Sequence, residues 1–211
     1  MFPDGELGNE QNSPRQQDAA EFAGWLIERL ITEDANVQLK LSRSIMNERR
    51  CTVCNDTEQI EVTEYCILTL PIYDNVSSMD TLINKKISDV TKLDGTCRVC
   101  EEKGTMNEHA KKINSAPETL IVMVQRVENP KALDEINTIK LPLSEVCYSL
   151  QSFAVHIGES FTSGHYVGYF NYNSTYYKYD DQTYPQISEV TDNEFKRESR
   201  NGYLYFYNKQ R

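Results

Sequence analysis

A histidine and a pair of aspartates are the residues of this sequence best suited to acid–base chemistry. His165 follows Ser163-Gly164, and Asp180 with Asp181 follows a run of tyrosines fifteen residues later. If the two segments pair as a hairpin, the carboxylate reaches the imidazole and orients it as a general base for a cysteine or serine nucleophile. Taken alone, the pattern is also typical of a surface histidine near acids.

Four of the six cysteines form two CxxC pairs, with 42 residues between the pairs. Each pair places two thiolates on one turn, and two such turns complete a tetrahedral four-sulfur zinc site with no open position. The sequence therefore predicts a structural zinc rather than a catalytic one; the alternative is four unrelated core cysteines. The predicted ligands are Cys51, Cys54, Cys97 and Cys100. Cys66 lies in an apolar stretch and is expected to be a small buried residue.

Composition restricts the class of protein. With 211 residues, ordinary apolar and charged fractions and a net charge of −10, the chain is expected to form one globular domain. The acidic charge argues against nucleic acid and favours a basic protein partner. The sequence shows no secretion signal and no apolar run of the roughly 20 residues that cross a bilayer. We therefore expect an intracellular protein with no membrane partner.

Hydrophobic periodicity predicts one long helix, one short helix and a mostly antiparallel sheet. The long helix is expected from Arg15 to about Thr32, with Ser13-Pro14 at its start, after a flexible stretch at 1–12. The segment NVQLKLSRSI alternates like a strand, and SSMDTLINKKISDV reads as the short helix. Further strands are expected in IEVTEYCILTL (60–70), ETLIVMVQRV, YSLQSFAVHIG, HYVGYFNYN, YYKYD and GYLYFYNK. The cysteine pairs are expected at the ends of a projection.

Several motifs, in one order along the chain, resemble those of the ubiquitin-specific proteases. The resemblance is carried by QQDAAEF, the two cysteine pairs, APETLIVMVQR, FAVHIGESFTSGHYVGYF, YYKYDDQTY and NGYLYFY, and it runs from about Gln16 to Tyr207. It implies an α+β, papain-like cysteine protease fold with a palm and a zinc-ribbon finger at about 45–105, the helical thumb being largely missing. Residues 13–211 would form this domain.

The same resemblance assigns roles to single residues. His165 corresponds to the catalytic base, Asp180 to its orienting acid and Asp181 to the neighbouring polar position. Asp18 and Glu21 correspond to positions that contact the basic tail of ubiquitin. The implied activity is thiol-dependent removal of ubiquitin from proteins, with ubiquitin or a ubiquitinated protein as partner and zinc as a structural metal.

The family's cysteine box, which carries its nucleophile, is absent, because no cysteine precedes Cys51. Cys66 and Cys147 are poor substitutes, since neither begins a helix or lies in an oxyanion-hole sequence. Three interpretations follow: an inactive protein that binds ubiquitin, a partial sequence of an active deubiquitinase, or a zinc-stabilised interaction module without ubiquitin binding. As written, the chain is expected not to cleave ubiquitin conjugates.

Overall fold

Strands dominate the fold of this chain. A computed structural model describes residues 18–65, 67–73, 78–126, 132–134, 136–160 and 163–210. The helices within them are α1 (Ala19–Glu33), α2 (Ala35–Leu41), α3 (Met79–Ser88) and α4 (Asp192–Ser199). The strands are β1 (Ser42–Cys51), β2 (Thr57–Tyr65), β3 (Ile67–Pro71), β4 (Thr91–Thr96), β5 (Lys103–Ser115), β6 (Thr119–Gln125), β7 (Thr138–Lys140), β8 (Cys147–Ser160), β9 (Ser163–Tyr172), β10 (Thr175–Tyr179), β11 (Ile187–Val190) and β12 (Leu204–Lys209).

The larger sheet, which we name the palm sheet, has the strand order β11-β10-β9-β8-β12-β6-β3, and β7 pairs with β8 at its side. All of its pairings are antiparallel except that of β3 with β6. The expected α+β fold with antiparallel sheets is thus confirmed.

The apolar run in β6 arises because the palm sheet is covered on both faces. Ile121 packs in the cluster that includes Ala20, Ala23 and Ile27 of α1. Its neighbours on the strand, among them Val122, pack in the larger cluster that includes α3 and α4. A strand buried on both faces needs apolar side chains at every position, not at alternate ones.

The smaller sheet, which we name the finger sheet, has the order β2-β1-β5-β4 and is antiparallel throughout. It draws on residues 42–65 and 91–115, whereas β3 and α3, which lie between these stretches, pack with the palm sheet. The two cysteine pairs occupy the turn after β1 and the turn after β4. The segment predicted to carry the cysteine pairs at its ends therefore contains a four-stranded sheet.

One carboxylate fixes the start of α1 on the palm sheet. Asp18 Oδ1 accepts hydrogen bonds from the backbone N–H groups of Ala20 at 2.8 Å and Glu21 at 3.0 Å. Its Oδ2 accepts from the hydroxyls of Tyr203 at 2.7 Å and Tyr166 at 3.3 Å. The first pair satisfies amides that a helix start leaves open. The second pair ties the helix to residues far along the chain.

Two predictions near the start of the chain are wrong in their limits. The first helix begins at Ala19 with Asp18, whose backbone is extended, as its cap; the predicted start at Arg15, Ser13-Pro14 and the stretch 1–12 lie outside the described residues. The segment that alternates like a strand from Asn36 is helical as far as Leu41, and only then becomes β1. The reason is local, because Asp34 accepts from the Asn36 amide and caps a second helix.

The strand predicted over 60–70 is two strands in different sheets. β2 pairs with β1 in the finger sheet, and β3 pairs with β6 in the palm sheet. A continuous β-favouring pattern does not show where a chain changes pairing partner, because partners are chosen by tertiary contacts. The short helix α3, with Ser78 as its cap, is confirmed. Among the described residues, no helix combines the length and apolar character that crossing a membrane requires.

Replacement of Asp18 by alanine is expected to lower the free energy of unfolding by about 2–3 kcal/mol. Loss of a helix cap costs about 1 kcal/mol, and a partly buried hydroxyl left without its acceptor costs about 1–3 kcal/mol. Chemical denaturation measures the effect. The exposed neighbour Glu21 provides the control, and Glu21→Ala should cost less than about 0.5 kcal/mol. Equal losses in the two variants would contradict this role of Asp18.

Candidate functional site

A tight hairpin brings the predicted base and acid together. Strands β9 and β10 are joined at Asn173 and Ser174, whose φ angles of 50° and 65° match a two-residue turn with the twist of the strands. His165 lies near the start of β9 and Asp180 directly follows β10. His165 Nε2 is 2.8 Å from Asp180 Oδ1, which is hydrogen-bonding distance. The sequence-based expectation that a hairpin would join these two residues thus matches the geometry.

Asp180 is buried, and its carboxylate is held by three groups. Besides His165, Lys178 Nζ lies 3.0 Å from Oδ2, and the backbone N–H of Gln182 donates to Oδ1 at 3.1 Å. Hydrogen bonds from His165 and Lys178 lower the pKa of Asp180 to about 2. Sequence reasoning missed Lys178. The spacing of Lys178 and Asp180 could have indicated the contact, because residues two apart on a strand share a face.

The hydrogen bond to Asp180 determines which nitrogen of His165 is left for chemistry. An ionised carboxylate only accepts hydrogen bonds, so Nε2 must carry the proton. In the neutral ring, Nδ1 then has a free lone pair. Nδ1 is 3.6 Å from Asp181 Oδ1, beyond ordinary hydrogen-bond length. The arrangement suits a base that accepts a proton at Nδ1 from a group placed beside it.

Gly164 allows the strand that carries His165 to pack closely on β8. A Cβ atom at this position would lie 2.4 Å from His156 Nε2 and 2.7 Å from the backbone oxygen of Ile157. The His156 ring is in turn packed against Tyr166, with ring centroids 4.9 Å apart. A Cβ atom at these distances would force the backbone of β8 or β9 to move. The close packing of the two strands therefore requires glycine at position 164.

No cysteine of the described residues lies beside the His165 ring. Cys147 begins β8, in which Ile157 is the residue opposite His165. Ten residues of extended strand span roughly 33 Å, so the Cys147 thiol is far from the imidazole. The other four described cysteines are at the end of the finger sheet, and Cys66 lies outside the described residues.

The two acids expected to contact ubiquitin differ in whether their carboxylates already accept hydrogen bonds within the protein. Both oxygens of Asp18 accept hydrogen bonds within the protein, as described above. Glu21 lies one turn into α1 and is exposed. Of the two carboxylates, that of Glu21 is the one presented to solvent.

The four finger cysteines converge as predicted. Cys51 Sγ is 3.9 Å from Cys100 Sγ, and Cys54 Sγ is 3.6 Å from Cys97 Sγ. One sulfur from each of the four residues lies within 4.8 Å of the others. These separations are too long for a disulfide bond of about 2.05 Å. They match the edge of a tetrahedron with metal–sulfur bonds of about 2.3 Å, which is about 3.8 Å.

The two cysteine turns share one conformation, which supports a common ligand. The backbone N–H of Val53 lies 3.4 Å from Cys51 Sγ, and that of Val99 lies 3.4 Å from Cys97 Sγ. Amide donors of this kind stabilise thiolates; backbone N–H groups of Cys54 and Val53 lower the pKa of Cys51 to about 7. Thiolates are soft ligands that bind zinc well, so this set of four sulfur donors fits a zinc ion.

The fold is that of the palm and finger of a papain-like cysteine protease. The sequence pattern of the ubiquitin carboxyl-terminal hydrolases matches residues 6–207. The chain therefore belongs to the ubiquitin carboxyl-terminal hydrolase family. A curated relative, ubiquitin carboxyl-terminal hydrolase A of Dictyostelium discoideum, is 33% identical over 84 residues, which are 39% of this chain and 9% of that protein.

Solved structures share the fold. The Ubp8 subunit of the SAGA deubiquitinase module, solved with monoubiquitin, superposes with a TM-score of 0.74 at 17% identity over 93% of this chain and 49% of that chain. The same module bound to ubiquitin aldehyde gives 0.73 at 16% identity over 93% and 50%. The chain thus spans about half the length of these structural relatives.

Substitution of Gly164 by alanine is expected to destabilise the protein by about 1–3 kcal/mol, because an added methyl group would overlap His156 and backbone atoms. It should also displace His165, which NMR would report as a change in the ring resonances. Gly168 on the same strand is the matched control, since the nearest atom to an added Cβ there is Tyr179 Cβ at 3.9 Å. A Gly164→Ala protein as stable as Gly168→Ala would refute this packing argument.

Proposed function

We propose that this chain is a ubiquitin-binding, deubiquitinase-like domain whose base and acid are His165 and Asp180. The observation that carries the proposal is the 2.8 Å contact between the imidazole and a buried carboxylate, with Nδ1 left open. The family membership supports ubiquitin as the partner. We take residues 13–211 as the domain. Hydrolysis by this domain requires a cysteine thiol beside Nδ1 of His165.

The geometry supports a defined order of proton movements. Nδ1 takes the proton of the thiol, and the sulfur attacks the carbonyl carbon that joins ubiquitin to a lysine amine. When the C–N bond breaks, the protonated ring gives its proton to the leaving amine. Water then attacks the thioester carbon and loses a proton to Nδ1, the C–S bond breaks to release the ubiquitin carboxylate, and the ring returns its proton to the sulfur. Asp180 holds the tautomer throughout.

The surface proposed for ubiquitin lies at the start of α1. Glu21 is exposed there and suits a basic tail, since carboxylates pair well with arginine. Asp18 has a second duty as a structural anchor, so its replacement would change folding as well as binding. Glu21 is therefore the residue with which binding is best tested.

Zinc is proposed as a structural metal ion with Cys51, Cys54, Cys97 and Cys100 as its four ligands. When bound, the metal would cross-link the two cysteine turns at the end of the finger sheet. Four protein ligands leave no open position, so zinc has no part in the proton transfers.

Metal analysis of the purified chain should find one zinc ion per molecule. The double variant Cys97→Ser, Cys100→Ser should lose it and loosen the finger sheet, because the binding energy of a structural metal is also folding energy. Cys147→Ser is the matched control and should keep the metal. A metal-free protein with an intact finger sheet, or zinc held as tightly by the double variant as by the wild-type chain, would refute the assignment.

Titration of the labelled chain with ubiquitin should shift NMR signals near the start of α1. Glu21→Lys should weaken binding about three- to fivefold, because it reverses one surface charge opposite a basic tail. Glu33→Lys, at the far end of the same helix, should have no effect. If no signal shifts at millimolar ubiquitin, the chain is instead a zinc-stabilised interaction module.

A ubiquitin probe with a thiol-reactive group at its carboxyl terminus separates binding from catalysis. This chain should remain unlabelled, because loss of a nucleophile alone costs on the order of 10⁶ in turnover in a well-studied protease. Labelling at Cys66 or Cys147 would show that one of these residues acts as the nucleophile.

A further inference from the structure

Two atoms with lone pairs face each other beside the base. His165 Nδ1 carries no proton in the neutral ring, for the reason given above, and Asp181 Oδ1 lies 3.6 Å away. Both atoms can donate a lone pair to one positive charge placed between them, and a metal cation supplies that charge.

The separation of these two atoms suits a metal ion. A tetrahedral zinc ion with nitrogen and oxygen bonds of about 2.0–2.2 Å holds such ligands about 3.4 Å apart. His165, Asp180 and Asp181 each offer one atom, and these atoms lie within 4.8 Å of one another. Asp181 has a side-chain exposure of 60%, so an ion can enter from solvent.

The outer contacts are also those of a metal-binding histidine. Such a histidine donates its second N–H to a carboxylate, which fixes the tautomer and the orientation of the ring. Asp180 fills this role at Nε2 and is itself held by Lys178 and Gln182. The Lys178 ammonium neutralises the other oxygen of Asp180 and not the carboxylate of Asp181.

A second histidine–carboxylate pair, in the finger sheet, shows how the pair of His165 and Asp181 differs from an ordinary ion pair. His109 Nε2 lies 3.7 Å from Glu48 Oε1 in the finger sheet, a similar separation. There, however, Lys111 Nζ is 3.3 Å from the same oxygen and already supplies the positive charge. The pair at His165 and Asp181 has no such cation on its oxygen within the part of the chain that the structure describes.

We infer that His165 Nδ1 and Asp181 Oδ1 form a binding site for a divalent transition-metal ion, with zinc as the favoured class and water in the remaining positions. Two protein ligands make it weaker than the four-thiolate site. The consequence for activity rests on the proposed function: a bound ion occupies the lone pair that would take the proton of a thiol, so the metal acts as a reversible inhibitor. Binding itself needs no nucleophile.

The test is a calorimetric titration of zinc chloride into protein whose finger site is already filled. We expect one further binding event per chain, together with a shift of the His165 Nδ1 signal in NMR spectra of the ring nitrogens. His165→Gln should abolish the event, and Asp181→Asn should weaken it at least tenfold. His109→Gln is the matched control and should leave it unchanged.

Two results would overturn the inference. One is a binding event that survives in His165→Gln or disappears in His109→Gln, which would mark adventitious binding elsewhere. The other is the absence of any further event in the wild-type chain. Neither result bears on ubiquitin binding, which the titration with ubiquitin measures separately.

Discussion

The carboxylate of Asp18 is the contact on which the arrangement of the site depends. It accepts from two amides at the start of α1 and from two tyrosine hydroxyls. Burial raises the pKa of Tyr166 to about 12, and it also raises that of Tyr203, so both remain protonated donors. Tyr166 is the residue after His165. One carboxylate thus links the helix of the proposed ubiquitin surface to the strand of the base.

This double use has a consequence for the family motif that contains Asp18. By resemblance the residue is expected to contact a ligand, whereas the geometry engages both of its oxygens within the protein. The two roles are compatible only if a ligand shares these lone pairs. Glu21, one turn later, carries no such duty, and the motif therefore combines one anchoring acid with one presented acid.

Sequence patterns predicted those elements whose partners lie nearby. Helix α3 and the hairpin of β9 and β10 depend on neighbouring residues, and the sequence predicts both. The break between β2 and β3 was not predicted, because it depends on which distant strand is available for pairing. The short helix α2 was missed because exposed Leu39 and half-buried Leu41 mimic the alternation of a strand, while the Asp34 cap decides the outcome locally. Helix α4 and the strands β4, β5, β7 and β11 were missed as well.

The candidate site shows the same difference between contacts that depend on residue type and spacing and contacts that depend on strand pairing. The residue types and spacing of His165, Asp180 and the four finger cysteines were sufficient to predict which of them meet. The close contact of Gly164 with β8 depends on the register of paired strands, which a single sequence leaves open. The contact between β8 and β9 at Gly164 therefore required the structure, whereas residue type and spacing were enough for the histidine–aspartate pair and for the cysteines.

The place of β12 in the palm sheet has a consequence for synthesis on the ribosome. This strand lies between β8 and β6, although residues 204–209 are made about 80 residues after β6 is complete. Until they emerge, the two neighbouring strands present unpaired edges, and such edges invite association with other chains. The finger sheet closes much earlier, since its last strand ends at Ser115. The projection can therefore assemble during translation, while the palm that holds the base must wait.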